Sequence, residues 1–242
     1  MLKMEFYRLF SSSSTWMTLL AAMLLAGFSV LLVHVSASAF VYADAAELLA
    51  AQINGGMLMV LCAVATILFA SAKYRNGFIK NIVGQLPRRE WLVLPEIAVL
   101  WVLCALCFLA YASGVVIAGA ALFGRAFLAV PWAAFGRFLL VQLILHIGFC
   151  GLLLLVYLLM GSTTVATVWG LLMAFKVTNV FYALFRRVAH FDLARYMLDL
   201  NIFQLGMGDA GPAYARAAIV GLAFLAVETA LLCWVMRRTE IK

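Results

Sequence analysis

Three ionisable side chains fall inside long apolar runs of the sequence. Glu228 lies midway along the run AVETALL, Lys176 lies within another run, and Glu96 lies about one turn into a third. A charged group at the centre of a bilayer costs roughly 2.5–3.5 kcal/mol on insertion scales, so it usually faces a partner or water. Glu228 therefore has several open interpretations: a residue of a translocation path, a structural partner of a cation such as Lys176, or a neutral protonated carboxyl. Glu96 is expected to pair with a loop arginine such as Arg89.

The cysteines and histidines do not form a known catalytic or metal-binding motif. Cys104 and Cys107 form a C-x-x-C pair, which in some proteins is a redox or zinc motif. This pair lies within an apolar run, without a second pair or a nearby histidine, so we interpret it as two small packing residues. His34, His146 and His190 lie in three separate segments and lack the spacing of metal ligands. The sequence contains no H-E-x-x-H or complete nucleophile-elbow motif, so protease chemistry is not expected.

The elements that carry these residues are predicted to be membrane helices. The chain of 242 residues is 67% hydrophobic and 11% charged, with a mean hydropathy of +1.11, whereas soluble domains are about half apolar and a quarter charged. A spanning helix needs about 20 mostly apolar residues. A signal peptide is an alternative for the first run, although its apolar part is longer than usual. The six predicted spans are 16–36, 53–72, 92–121, 136–160, 163–184 and 213–236.

The distribution of basic residues predicts the orientation of the chain. Cytoplasmic loops are rich in Lys and Arg, and an even number of spans places both termini on one side. The first external loop, 37–52, then contains no basic residue, although Arg186, Arg187 and Arg195 lie in a predicted external segment. We therefore expect both termini in the cytoplasm. Ten of the 17 basic residues are then cytoplasmic: Lys3, Arg8, Lys73, Arg75, Lys80, Arg88, Arg89, Arg237, Arg238 and Lys242.

The loop 73–91 between the second and third spans is unusually basic. Positive flanks of a span set its topology and contact anionic lipid heads, which accounts for Lys73, Arg75, Arg88 and Arg89. The residues between these flanks predict a short amphipathic helix that starts after Asn76 and ends at Gly84. Its apolar face is formed by Phe78, Ile79, Ile82 and Val83. A helix of two turns is marginal alone, so it needs either a membrane surface or a protein groove.

Two further segments are amphipathic. Residues 1–14 predict an interfacial helix lying flat on the bilayer, with Lys3, Glu5 and Arg8 off its apolar face. That face is formed by Leu2, Phe6, Leu9 and Phe10. Residues 185–212 are too polar to span and too apolar for a free loop, and Asp192 and Arg195 are spaced to form an i, i+3 ion pair.

The loop and the order of the elements resemble those of a known family. The sequences YRNGFIKN at 74–81 and LPRR at 86–89, the amphipathic start and the six spans resemble type-two permeases of ATP-binding cassette transporters. The similarity is greatest to small bacterial permeases of antibiotic-peptide and bacitracin-type export or self-protection systems. It extends over essentially the whole chain, which is expected to form one transmembrane permease domain, 1–242.

The resemblance implies a role for each of these segments. The short helix in the loop would be a coupling helix, whose apolar face enters a groove on a separate cytoplasmic ATPase subunit. The residues implied in this docking are Tyr74, Arg75, Phe78, Ile79, Lys80, Ile82, Val83, Arg88 and Arg89. The segment 185–212 would form short re-entrant helices before the last span, with Arg186, Arg187, Asp192 and Arg195 as its charged residues.

The implied function is export driven by a partner. The sequence lacks the P-loop motif G-x-x-x-x-G-K-[ST], so ATP and Mg²⁺ are expected on the ATPase subunit, and no catalytic, cofactor or metal site is expected in this chain. A second permease chain, identical or homologous, would complete the transporter. We expect a multi-pass protein of a bacterial cell membrane that moves an amphipathic peptide, antibiotic or lipid-like substrate and binds no nucleic acid.

Two other functions remain open. A non-transporting membrane scaffold or sensor would recruit a cytoplasmic partner through the same loop. A secondary transporter is less favoured, because the sequence shows neither inverted repeats nor paired broken helices.

Overall fold

The computed structural model describes residues 1–36, 42, 44–75, 89–191 and 193–238. In these ranges all regular structure is helical, without strands. Three 3-10 turns lie at Arg89–Leu92, Arg125–Leu128 and Leu193–Tyr196. The α-helices are α1 (Leu2–Ser11), α2 (Ser13–Val35), α3 (Ala45–Asn54), α4 (Met57–Arg75), α5 (Val93–Phe123), α6 (Trp132–Met160), α7 (Thr163–Ala174), α8 (Thr178–Ala189), α9 (Leu198–Gln204) and α10 (Gly211–Arg238).

The predicted all-helical membrane architecture is confirmed at this coarse level. Among the described residues, α2, α4, α5, α6 and α10 are each long and apolar enough to cross a membrane. A sixth crossing exists only if α7 and α8, which meet at an angle of 69°, are counted as one broken span. The chain therefore fits a multi-pass membrane protein with five or six spans.

The fifth predicted span is not a straight helix over 163–184. Lys176 adopts a left-handed backbone conformation with φ of 62°. The amide of Val177 donates to the carbonyl of Leu172 at 3.0 Å, and that of Lys176 donates to Met173 at 3.0 Å. These bonds close the end of α7 as in a Schellman motif. Neither glycine nor proline lies at the break, so the end of α7 could not be predicted from a helix-breaking residue.

A short helix in the first predicted external loop was not expected. Helix α3 begins after Asp44, whose carboxylate accepts a hydrogen bond from the amide of Glu47 at 2.8 Å. This is a standard helix N-cap. Leu48 and Ile53 of α3 are buried, so α3 packs onto the bundle.

Helix α6 lies at the centre of the bundle and packs against α4, α5, α7 and α10. Small residues allow the closest approaches. A Cβ at Gly221 of α10 would lie 2.8 Å from Ile144 of α6, and a Cβ at Gly114 of α5 would collide with the backbone of Met23 in α2. Helix α2 packs mainly against α5, and its side chains Leu24 and Phe28 are more than half exposed.

Candidate functional site

A buried lysine connects three helices beside the predicted coupling loop. Lys73 lies two residues before the end of α4 and is almost completely buried. Its Nζ lies 2.9 Å from Oε1 of Glu5 in α1 and 2.8 Å from Oε2 of Glu96 in α5. It also donates to the backbone carbonyl of Leu92 at 3.1 Å. The ammonium group of Lys73, a residue of α4, thus connects α4 to α1 and to the start of α5.

Arg8 completes the charge balance of this network. Its guanidinium lies 2.9 Å from Oε2 of Glu5 and 4.0 Å from the ring centroid of Phe69. Arg8 and Lys73 carry two positive charges, and Glu5 and Glu96 carry two negative charges. The sum is zero, which is the condition under which buried charges are tolerated. We call these four side chains the charge network.

The charge network corrects two predictions from the sequence and adds to a third. Glu96 pairs with Lys73, while its pairing with Arg89, whose side chain is outside the described part of the chain, stays a prediction. Lys73 is a buried ion-pair partner and not only a topology signal at the lipid surface. Glu5 was placed off the apolar face of α1, but it is buried together with Leu9. The spacing of Glu5 and Leu9 by four residues puts them on one helix face, so an acidic residue in the apolar stripe was the missed signal.

Tyr74 belongs to the surroundings of the charge network. Its hydroxyl donates to Oε2 of Glu96 at 3.2 Å, and its ring meets that of Tyr157 edge-on at 5.5 Å. These contacts hold the half-buried side chain against the bundle, while its role in docking stays a prediction. Of the other predicted docking residues, Phe78, Ile79, Lys80, Ile82, Val83 and Arg88 lie outside the described residues, and the side chains of Arg75 and Arg89 are not described.

Glu228 lies in the middle of the bundle in quite different surroundings. It is 3% exposed, and neither carboxyl oxygen has a hydrogen-bond partner among the described residues. Its carboxyl fits against α6 because residue 151 is glycine: a Cβ there would lie 2.5 Å from Oε2. The cleft around Glu228 is otherwise mostly apolar, with Trp101 and Ile147 in its lining.

The pair between Glu228 and Lys176, one of the interpretations left open by the sequence, is not formed. Lys176 is exposed at the break between α7 and α8, where its Nζ lies 4.5 Å from the ring centroid of Phe203 in α9. This cation–π contact places Lys176 at the end of a helix, not within a continuous span. Glu228 is therefore left as a buried carboxyl without a described cationic partner.

A fourth buried carboxyl, Asp199, lies in the segment before α10. The hydroxyls of Thr178 and Tyr182 donate to it, the latter at 3.1 Å to Oδ1, and the amide of Leu200 donates to Oδ1 at 2.9 Å. Burial raises the pKa of the Asp199 carboxyl, and the bonds from Thr178, Tyr182 and Leu200 oppose this shift. The hydrogen bonds from Thr178 and Tyr182 fix α8 to α9. No residue spacing in the sequence predicts this contact.

Amide side chains fix α9 to the rest of the bundle. Nε2 of Gln142 in α6 donates to the carbonyl of Ile202 at 2.9 Å and to Oδ1 of Asn54 at 3.2 Å. Nδ2 of Asn54 donates to the carbonyl of Leu205 at 3.1 Å. These bonds satisfy backbone groups at the end of α9, which an apolar environment requires. Sequence reasoning missed Asn54, Gln142 and Asp199, because each is an ordinary polar residue until the fold brings it to α9.

The charged residues predicted for the re-entrant segment 185–212 lie away from the buried part of that segment. Arg186 and Arg187 are exposed near the end of α8, and Arg195 is exposed in the following 3-10 turn. Asp192, the predicted partner of Arg195, lies outside the described residues. The buried part of the segment is α9, from Leu198 to Ile202.

The cysteines occupy the same interior as Glu228. Cys62 in α4, Cys104 in α5 and Cys150 in α6 are each at most 2% exposed, and their sulfur atoms all lie within 4.8 Å of one another. The sequence analysis interpreted Cys104 with Cys107 as packing residues on one helix and did not connect them to other helices. Only the packing of α4, α5 and α6 brings the three thiols together.

Comparison of the chain with models of protein families, with curated proteins and with solved structures gave no match.

Proposed function

We propose that the chain is the membrane-spanning permease subunit of an ATP-binding cassette exporter, with ATP hydrolysed by a separate cytoplasmic subunit. The observation that carries this proposal is the position of Lys73. Its ammonium group binds both helices that flank the loop 76–88, since it contacts Leu92 and Glu96 on one side and belongs to α4 on the other. It also binds Glu5 of α1.

This arrangement supports a mechanism for coupling. A partner that pulls on the loop displaces α4 and α5 together, because Lys73 and Glu96 are joined by a direct ion pair of 2.8 Å. The interfacial helix α1 moves with them through Glu5. Ion pairs without water between them transmit displacement as a rigid body does, and rigid-body rotation is a common way of switching between access states.

In this proposal the loop 76–88 supplies the surface for docking. The four charges neutralise one another inside the bundle, so the apolar face of Phe78, Ile79, Ile82 and Val83 is the part of this region proposed to enter a groove on the ATPase. Lys80, Arg88 and Arg89 would flank that groove. In this proposal both termini are in the cytoplasm of a bacterial cell, and the segment containing α8 and α9 is the re-entrant element on the outer side.

The path for the substrate is proposed to run along an apolar surface. Helix α2 exposes Leu20, Leu24 and Phe28 by more than half of each side chain, so a second permease chain or lipid is needed to cover it. A pair of such chains would enclose a largely apolar path, which suits an amphipathic peptide, antibiotic or lipid-like substrate.

The test is co-purification with the ATPase encoded beside this chain, followed by ATP hydrolysis and substrate efflux in lipid vesicles. The variant Ile79→Asp with Ile82→Asp is expected to lose both the complex and the stimulated hydrolysis, because two charges enter an apolar groove. The matched control is Leu184→Asp with Val188→Asp, two exposed apolar side chains of α8, which is expected to keep the complex.

A retained complex in the first variant would overturn the docking assignment. A complex that forms and hydrolyses ATP without moving any amphipathic substrate would instead favour a scaffold or sensor.

A further inference from the structure

The three converging thiols lie close enough together to hold a metal ion. Cys62, Cys104 and Cys150 come from three different helices, and each offers one sulfur atom within 4.8 Å of the other two. A metal bound to three sulfurs at about 2.3 Å holds them roughly 4 Å apart. A contraction of less than about 1 Å therefore suffices to ligate one ion.

We propose that Cys62, Cys104 and Cys150 bind one soft monovalent cation of the Cu(I) class inside the helix bundle. Soft thiolate ligands select Cu(I) or zinc, and structural zinc almost always takes four ligands in a tetrahedron. Three thiols that meet from three sides form a trigonal set instead. The assignment concerns a site that the permease proposal does not use, and it does not rest on that proposal.

Binding releases the thiol protons, because the thiolate and not the thiol is the ligand of a metal ion. One Cu(I) bound by three sulfur atoms therefore displaces three protons, so its binding strengthens as the pH rises.

A buried histidine lies beside this cluster in the sequence. His146 lies one turn before Cys150 on α6 and is fully buried. Its Nδ1 lies 2.8 Å from the carbonyl oxygen of Gln142, so Nδ1 carries the hydrogen of that bond. The ring nitrogens of His146 are not among the ligand atoms that meet within 4.8 Å, so the three thiols alone define the site.

Two other groups lie near the cluster. Cys107 lies one turn after Cys104 on α5. Glu228, whose carboxyl oxygens are buried without a described partner, lies against Gly151, next to Cys150. Neither group belongs to the set of ligand atoms that meet within 4.8 Å.

The test uses the full chain in lipid nanodiscs, kept reduced and free of oxygen, and titrated with Cu(I) in competition with bicinchoninate. The expected result is one Cu(I) per chain with thiolate-to-copper absorption in the ultraviolet. Cys62→Ser, Cys104→Ser and Cys150→Ser are each expected to weaken binding by about tenfold or more. The matched control is Cys233→Ser in α10, a partly buried cysteine outside the cluster, which is expected to bind like the unmodified chain.

X-ray absorption on the unmodified Cu(I)-loaded chain tests the site without any variant that could misfold. The expected first shell contains about three sulfur atoms. A shell dominated by nitrogen or oxygen, or equal binding in Cys104→Ser and Cys233→Ser, would overturn the proposal. Displacement of Cu(I) by equimolar Zn(II) would overturn the monovalent assignment.

Discussion

Buried carboxylates have ion-pair partners in the charge network but not, among the described residues, in the interior around Glu228. Glu5 and Glu96 are buried and each contacts Lys73 within 2.9 Å. Glu228 is equally buried, but within the described ranges its carboxyl has neither an ion pair nor a hydrogen-bond partner. A paired network holds helices in fixed positions, whereas an unpaired polar group costs stability. The difference between the two regions therefore lies in their ion pairs.

The largest effect is expected from removing the shared cation. Lys73→Met leaves Glu96 without its counter-charge and Glu5 with Arg8 alone, and breaking a buried pair costs about 3–5 kcal/mol. We expect the free energy of unfolding, measured by equilibrium unfolding in mixed micelles, to fall by that amount. Lys3→Met, at an exposed position of α1, is the control and should change little. Equal stability of the two variants would contradict the charge network.

For Glu228, substitution is expected to change the free energy of unfolding in the opposite direction. Glu228→Leu removes a buried carboxyl that has no described partner, and so relieves a desolvation penalty of about 1–3 kcal/mol. We expect the free energy of unfolding to stay the same or to rise by up to this amount. The matched control is Glu96→Leu, which removes a paired carboxylate and should destabilise the protein. A strong loss of stability in Glu228→Leu would show that this carboxyl has a partner and would remove the contrast between the two regions.

A smaller effect is expected at the edge of the charge network. Tyr74→Phe removes one hydrogen bond to Glu96 and leaves the ring contact with Tyr157 in place. The expected loss is about 1 kcal/mol in the free energy of unfolding. Tyr7→Phe is the control, because Tyr7 is 75% exposed, and no change is expected there. If both variants are unchanged, the hydroxyl of Tyr74 does not support the network.

The mildest effect concerns Asp199, a buried carboxyl that accepts hydrogen bonds and has no cation in contact with it among the described residues. Burial raises its pKa, so the folded protein keeps the proton at a pH where the unfolded chain has lost it. The free energy of unfolding should therefore fall as the pH rises from about 4 through the folded-state pKa, and should then level off. Asp199→Asn is expected to remove this part of the pH dependence, measured by unfolding at a series of pH values.

Thr178→Val provides the second arm of this test. Thr178 donates to Asp199 and opposes the rise of its pKa, so its removal should shift the loss of stability to higher pH. A shift to lower pH, or a pH dependence that persists in Asp199→Asn, would contradict the assignment.

The membrane helices themselves could be predicted from the sequence. Predicted spans 92–121 and 213–236 correspond to α5 at Val93–Phe123 and α10 at Gly211–Arg238, because a bilayer requires about 20 apolar residues in a row. The N-terminal helix was also expected and is α1. The break at Lys176 was not expected, because no helix-breaking residue lies there in the sequence. At this break α7 ends against Gly56 of the turn before α4.

The partners of the polar side chains could not be predicted from the sequence. Hydropathy identified Glu96 and Glu228 as unusual, but it did not predict Lys73 as the partner of Glu96, and Lys176, one of the partners considered for Glu228, lies against Phe203 instead. The contacts that decide their roles join positions far apart in the chain, such as Glu5 with Lys73 or Cys62 with Cys150. No helical or strand period relates such positions.

The sequence alone determined that the chain is helical and apolar enough for a membrane, because hydrophobicity and helix length are local properties of consecutive residues. The tertiary structure decided which buried charges are neutralised, which carboxyl is left without a described partner and which thiols meet. Those outcomes depend on how α4, α5 and α6 are rotated and stacked against one another, and this rotation is fixed by side-chain packing between helices rather than by the composition of any one of them.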